Sequence, residues 1–186
     1  MTLSQALLPS TSLPTRIAMI LAGSLFIALS AQASVPMFPV PMTLQTLAIS
    51  IVGLAFGARL AAATLIAYLV EGAMGLPVFA DGKAGAMALI GPTGGYLWGF
   101  VAMAWMTGWM VERGFDRGLF RLFIAALIPA ALLFVPGVAM LQVVTGMSVG
   151  KAIVLGATPF LLGGVVKAAL AALVVAGGWS VLRKRG

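Results

Sequence analysis

The chain consists of long apolar runs separated by short stretches that carry charge, proline or glycine. Nothing between Arg16 and Arg59 is charged, and this run is longer than the ~20 residues that one membrane-spanning helix needs. Prolines at 36, 39 and 41 divide the run into two helices. The same pattern along the rest of the chain predicts further helices. The six predicted helices cover about residues 15–34, 43–56, 60–74, 96–110, 122–143 and 159–182.

The distribution of positive charge decides between six spans and five. The second and third predicted helices are short for a span, so they could be fused into one. With six spans, eight Lys and Arg residues lie on one side, whereas Lys83, Lys151 and Lys167 lie on or toward the other. With five spans, the clusters at 113–121 and 183–185 would be separated, against the positive-inside rule. We therefore expect one all-α integral membrane domain, residues 1–186, with six transmembrane helices and both termini cytoplasmic.

Composition supports a lipid environment. Apolar residues make up 62% of the chain and charged residues 8%, against roughly 25% charged in a typical soluble domain. The net charge of +7 comes from Lys and Arg residues that mostly lie at the ends of the apolar segments, where they set the membrane topology. Nucleic acid is therefore not the expected partner. The stretch Met1–Pro14 lacks an early basic region, so a cleaved signal peptide is not expected.

The residue inventory excludes most catalytic chemistry. The chain has no cysteine, no histidine and four carboxylates, and it has no Walker A motif for ATP hydrolysis. We expect no metal, no cofactor and no enzymatic activity. The enzymatic alternative left open is an intramembrane hydrolase that pairs Lys167 with a serine of the first helix.

Polar residues at membrane depth indicate a binding pocket, because such residues are costly there and usually functional. The predicted topology places all of them toward the outer side. Lys167 costs roughly 2.5–3.5 kcal/mol at a central position and needs a partner. That partner is either Glu71 or an anionic ligand, and the sequence favours neither. The five residues are Gln45, Glu71, Tyr96, Gln142 and Lys167.

Small residues spaced one helical turn apart allow close helix packing in lipid. One pair, Ala18 and Ala22, lies on the first helix. Two further series occur, Gly53–Gly57–Ala61 and Ala168–Ala172–Ala176. Each is interpreted as internal packing or as a docking face for another membrane protein.

Four motifs together carry a family resemblance. They are PVPMTLQT at 39–46, GLPVFA at 75–80, GPTGGY at 91–96, and PFLLG at 159–163 followed by Lys167. In this order and spacing, the chain from about residue 15 onward resembles the BioY family. That family comprises the biotin-binding S components of energy-coupling factor (ECF) vitamin importers.

The resemblance implies an S-component fold that captures biotin at the outer face of the cytoplasmic membrane. Ala18 and Ala22 would contact a transmembrane T component, and separate ATPase subunits would hydrolyse ATP. Association of several copies is also possible. The implied substrate-binding residues are Thr43, Gln45, Glu71, Lys83, Gly91, Tyr96, Gln142 and Lys167.

One position departs from the family pattern. Gly164 stands where many members carry an acidic residue, so the polar partner on that face of the last helix is missing. Alternatives to biotin capture are an S component for another vitamin or heterocycle, the serine–lysine hydrolase, and a purely structural subunit.

Overall fold

A computed structural model describes residues 2–7 and 12–185 of the chain. Met1 and Gly186, the two ends of the predicted topology, lie outside these residues, and so do the side chains of Arg183, Lys184 and Arg185. The described part is almost entirely helical. Its α-helices are α1 (Leu3–Leu7), α2 (Leu13–Gln32), α3 (Gln45–Phe56), α4 (Ala58–Ala73), α5 (Gly94–Met110), α6 (Leu119–Leu132), α7 (Phe134–Thr145), α8 (Val149–Gly156) and α9 (Leu161–Arg185).

Local signals explain where several of these helices begin and turn. The Ser12 side chain accepts a hydrogen bond from Thr15 N, and it caps the start of α2. Gly57 takes φ +83° between α3 and α4, a conformation that suits glycine and permits the sharp turn that the sequence predicts there. At the start of α4, Glu112 Oε1 accepts a 2.9 Å hydrogen bond from Ala58 N, so a carboxylate occupies the positive end of the helix.

The structure differs from the predicted elements in three places. The fifth predicted helix forms one apolar stretch, Leu119–Thr145, with an irregularity at Leu133, between the end of α6 and the start of α7. Pro136 has no N–H to donate to the Leu132 carbonyl, so the hydrogen-bond ladder has a gap at this junction. The connection between the last two predicted helices contains α8, whose first turn is capped by Ser148. The short helix α1 was not predicted.

The helices have the composition of a membrane bundle. Within the described residues, three helical stretches are long and apolar enough to span a bilayer: Leu13–Gln32, Leu119–Thr145 and Val149–Leu182. The helices α3, α4 and α5 are shorter, with 12, 16 and 17 residues. Large apolar side chains remain exposed along α2 and α9, among them Leu29 at 63% and Leu162 at 78%, as expected for helices that face lipid.

Two buried clusters hold the bundle together. The first joins α2, α3, α4 and α5 around Ile49, Leu65 and Met103. The second joins α3, α6 and α9 around Leu122 and Val175.

The three small-residue series have different roles. A Cβ on Gly53 would lie 2.7 Å from the Thr107 side chain, so that series serves internal packing. Ala168 and Ala172 are buried against α6 and serve internal packing too. Ala18 and Ala22 are exposed on α2 and therefore remain available to a partner.

Two connections cover one end of the bundle, which we call the hairpin end. The hairpin segment, residues 33–44, contains strands β1 (Ser34–Val35) and β2 (Met42–Thr43), which pair antiparallel. The pocket loop, residues 74–93, contains two short 3₁₀ turns, Ala80–Gly82 and Ala86–Leu89. These two connections close over the ends of the helices and form the wall of a cavity.

Candidate functional site

A cavity opens at the hairpin end, between the hairpin segment, the pocket loop and helices α3, α5, α6, α7 and α9. The space between these elements, including the open mouth, measures about 890 Å³. Much of its wall is apolar and aromatic, with few charged groups. The apolar and aromatic lining comprises Val40, Pro41, Phe79, Ala80, Ala88, Leu97, Phe100, Ala130, Leu133, Phe134 and Phe160. The remaining lining comprises Thr43, Gln45, Thr46, Lys83, Thr93, Tyr96, Gly164 and Lys167.

Lys167 is the charged group held most firmly in the cavity wall. Its Nζ donates a 2.6 Å hydrogen bond to Thr43 O, so α9 is attached to strand β2. An ammonium group has three N–H donors, so two remain for a ligand. Lys83, the other lining lysine, is exposed on the pocket loop.

Gln45 begins α3 and is almost fully buried, with 4% of its surface exposed. Its Oε1 accepts a 3.1 Å hydrogen bond from Thr43 Oγ1, and its Nε2 donates a 2.8 Å bond to the hydroxyl of Tyr68. The second N–H of the amide remains for a ligand. Gln45 is therefore held in one orientation at the cavity wall.

Tyr96 contributes its ring to the cavity wall, but its hydroxyl is already engaged. The hydroxyl donates a 2.6 Å hydrogen bond to the buried carbonyl of Gly156, which joins α5 to α8. Gly137 and Gly156 provide the space for this side chain, since a Cβ at either position would overlap it. The hydroxyl therefore stabilises the packing of α5 against α8.

Three of the predicted site residues do not line the cavity. Glu71 accepts a 2.8 Å hydrogen bond from Ser24 Oγ on the face of α4 that meets α2. Gly91 lies in the turn before α5, where its carbonyl accepts a hydrogen bond from Gly94 N. Gln142 is half-buried in α7, and its carbonyl accepts a bond from Gly146 N. The other five predicted residues line the cavity together: Thr43, Gln45, Lys83, Tyr96 and Lys167.

The geometry also separates the alternatives left open for Lys167. Glu71 is paired with Ser24 and Lys167 with a backbone carbonyl, so the described residues show no Lys167–Glu71 ion pair. Ser30, on the same helix as Ser24, donates to Ile27 O. Because these serines bond elsewhere, the geometry gives no support to a serine–lysine dyad.

Four residues near the cavity are not among the predicted substrate-binding residues. Gln32, at the end of α2, accepts from Gly82 N through Oε1 and donates to Phe79 O through Nε2. Ser34 Oγ donates a 2.6 Å hydrogen bond to Asp81 Oδ1. The remaining two are Tyr68, which is fully buried, and Phe79, whose ring meets Tyr68 edge-on at 5.6 Å. A tyrosine inside an apolar helix was the available signal, because its hydroxyl needs a partner there.

The sequence of the chain is similar to those of known proteins. The sequence model of the BioY family matches residues 4–184. The chain is 35% identical to the biotin transporter BioY of Thermotoga maritima, over 80% of this chain and 86% of that protein. It is 36% identical to the biotin transporter BioY of Rhizobium etli, over 76% of this chain and 79% of that protein.

One solved structure shows the same fold. It is a crystal structure of the S-component for biotin from an ECF-type ABC transporter, with a TM-score of 0.80. The likeness covers 95% of this chain and 96% of the other at 22% sequence identity. At that identity, the likeness establishes the fold of the bundle and nothing about its ligand.

Proposed function

The chain belongs to the BioY family, and from that premise we propose that it is the biotin-binding S component of an ECF-type importer. It is a multi-pass membrane protein and a transport protein, not an enzyme. The observation that carries the proposal is the cavity at the hairpin end, where a held lysine and a held amide face an otherwise largely apolar wall.

The chemistry of biotin matches this wall. Its bicyclic head carries ureido donors and acceptors, its chain is apolar, and its carboxylate is anionic. The free N–H of Gln45 can reach an acceptor, the aromatic wall can hold the head and chain, and Lys167 can meet the carboxylate. Since Lys167 already has Thr43 as one partner, its ammonium is in place before the ligand arrives.

The proposal includes partners and a membrane. Ala18 and Ala22 are exposed one turn apart on α2, so they suit close contact with a T component. ATP hydrolysis then falls to separate ATPase subunits, because the chain has no Walker A motif. The hairpin end faces outward and both termini lie in the cytoplasm, as the basic residues at the other end suggest. Self-association through a lipid-facing helix stays a prediction.

Equilibrium binding tests the proposed function. The detergent-purified chain is titrated with biotin and, separately, with thiamine and riboflavin. We expect saturable binding of biotin alone. Preferential binding of another vitamin would mean that the chain is an S component with a different ligand. No binding of any vitamin would contradict the proposal.

A further inference from the structure

A chain of hydrogen bonds crosses the hairpin end from α9 to the pocket loop. Lys167 Nζ donates to Thr43 O at 2.6 Å, and Thr43 Oγ1 donates to Gln45 Oε1 at 3.1 Å. Gln45 Nε2 donates to Tyr68 Oη at 2.8 Å, and Tyr68 Oη donates to Val78 O at 2.9 Å. These four hydrogen bonds connect five elements of the protein: α9, β2, α3, α4 and the pocket loop.

Tyr68 lies behind the cavity wall and does not itself meet a ligand. It is fully buried and does not line the cavity. Its hydroxyl both accepts and donates, so it fixes Gln45 on one side and the Val78 carbonyl on the other. Its ring supports Phe79, which does line the cavity and fits closely against Gly72, where a Cβ would overlap it.

We propose that Tyr68 is the positioning residue of the binding site, holding the Gln45 amide and the Val78–Phe79 backbone in the arrangement that receives the ligand. The inference rests on the proposed function. Because these bonds hold the side chains and the loop, the ligand has fewer groups to order, and the affinity rises. Affinity differences between related complexes arise mostly in the dissociation rate. Gln32, Ser34 and Asp81 hold the loop from its other side, so loss of the Tyr68 hydroxyl loosens the loop without unfolding it.

The first test is Tyr68→Phe, which keeps the ring against Phe79 and removes the hydroxyl. The Gln45 amide and the Val78 carbonyl each lose a partner. We expect biotin to dissociate roughly 5- to 150-fold faster, with the association rate nearly unchanged. The matched control is Thr107→Val, because Thr107 Oγ1 is buried with no hydrogen-bond partner among the described residues and lies off the cavity.

The second test separates positioning from general stability. The chain has no cysteine, so Ala84→Cys on the exposed part of the pocket loop accepts a single nitroxide label. Without ligand, the label should be more mobile in the Tyr68→Phe background than in the wild-type or Thr107→Val background. With saturating biotin, the difference should shrink. Equal mobility and equal dissociation rates in all three backgrounds would overturn the inference.

A second variant keeps the test decisive if Tyr68→Phe does not fold. Gln45→Leu breaks the chain on the other side of the hydroxyl and leaves the bond to Val78 in place. Without ligand, its label should be no more mobile than in the wild type, because Tyr68 still holds the Val78 carbonyl, while biotin should dissociate faster. A label more mobile than the wild-type label would contradict the proposed order of the contacts. The label mobility is measured without ligand. If the wild-type protein did not bind biotin, the proposed function would be refuted, and the mobility measurement would still test the role of Tyr68.

Discussion

Replacing Lys167 by methionine tests how the cavity recognises an anion. The substitution keeps an unbranched side chain of similar length and removes the ammonium group. In the structure, one N–H of this group serves Thr43 O at 2.6 Å and two remain for a ligand carboxylate. A hydrogen bond to a charged group contributes about 1.5–3 kcal/mol, so biotin affinity should fall roughly 10- to 150-fold.

The neutral analogue biotinamide isolates the carboxylate contribution. Loss of the Thr43 contact weakens biotin and biotinamide by the same factor, whereas loss of the charge weakens only biotin. Titration calorimetry of both ligands should therefore show that the Lys167→Met variant loses the wild-type preference for biotin. Lys151→Met, an exposed lysine on α8 that does not line the cavity, is the matched control.

Two results would refute this reasoning about Lys167. Equal weakening of both ligands would mean that Lys167 only holds β2 in place. A lost preference in Lys83→Met, with Lys167→Met unaffected, would assign the carboxylate to the pocket loop instead. The structure further predicts that Glu71→Gln does not rescue Lys167→Met in a double-mutant cycle, because Glu71 is bonded to Ser24.

Three further predictions concern stability, docking and topology. Tyr96→Phe should lower stability by about 0.6–1.7 kcal/mol in a denaturation assay, because it removes the donor to a buried carbonyl; a large loss of affinity with unchanged stability would instead assign the hydroxyl to the ligand. Replacing both Ala18 and Ala22 by leucine should abolish co-purification with a T component and spare biotin binding, and the opposite pattern would place this face inside the bundle. In intact cells, a membrane-impermeant thiol reagent should label Ala84→Cys and not Arg117→Cys; labelling of Arg117→Cys from outside would contradict the six-span topology.

Much of the fold follows from the apolar pattern, since each predicted segment overlaps at least one α-helix of the structure. The differences arise where tertiary contacts decide. The α1 helix has only five residues, too few to be stable alone, and it packs against α3 and α9. The irregularity between α6 and α7 lies three residues before Pro136, but a proline does not by itself reveal whether a helix bends or continues.

The candidate site was predictable in part. Polar residues at membrane depth point to Gln45 and Lys167, and both line the same cavity in the structure. The same argument selected Glu71, because sequence indicates how deep a residue lies and not which neighbour its helix face meets. Tyr68 was overlooked since its hydroxyl serves two protein groups rather than the cavity.

A cavity-filling substitution tests most directly whether biotin binds in the cavity at the hairpin end. Gly164 lines the cavity, and a Cβ there would meet nothing within 4 Å, so Gly164→Phe can place a ring in the open space without disturbing α9. Gly177 lies on the same helix, has equally open surroundings and is not part of the cavity wall, so Gly177→Phe is the matched control. In equilibrium titrations, the account predicts that folded Gly164→Phe no longer binds biotin while Gly177→Phe binds like the wild type. Wild-type affinity in folded Gly164→Phe would contradict it.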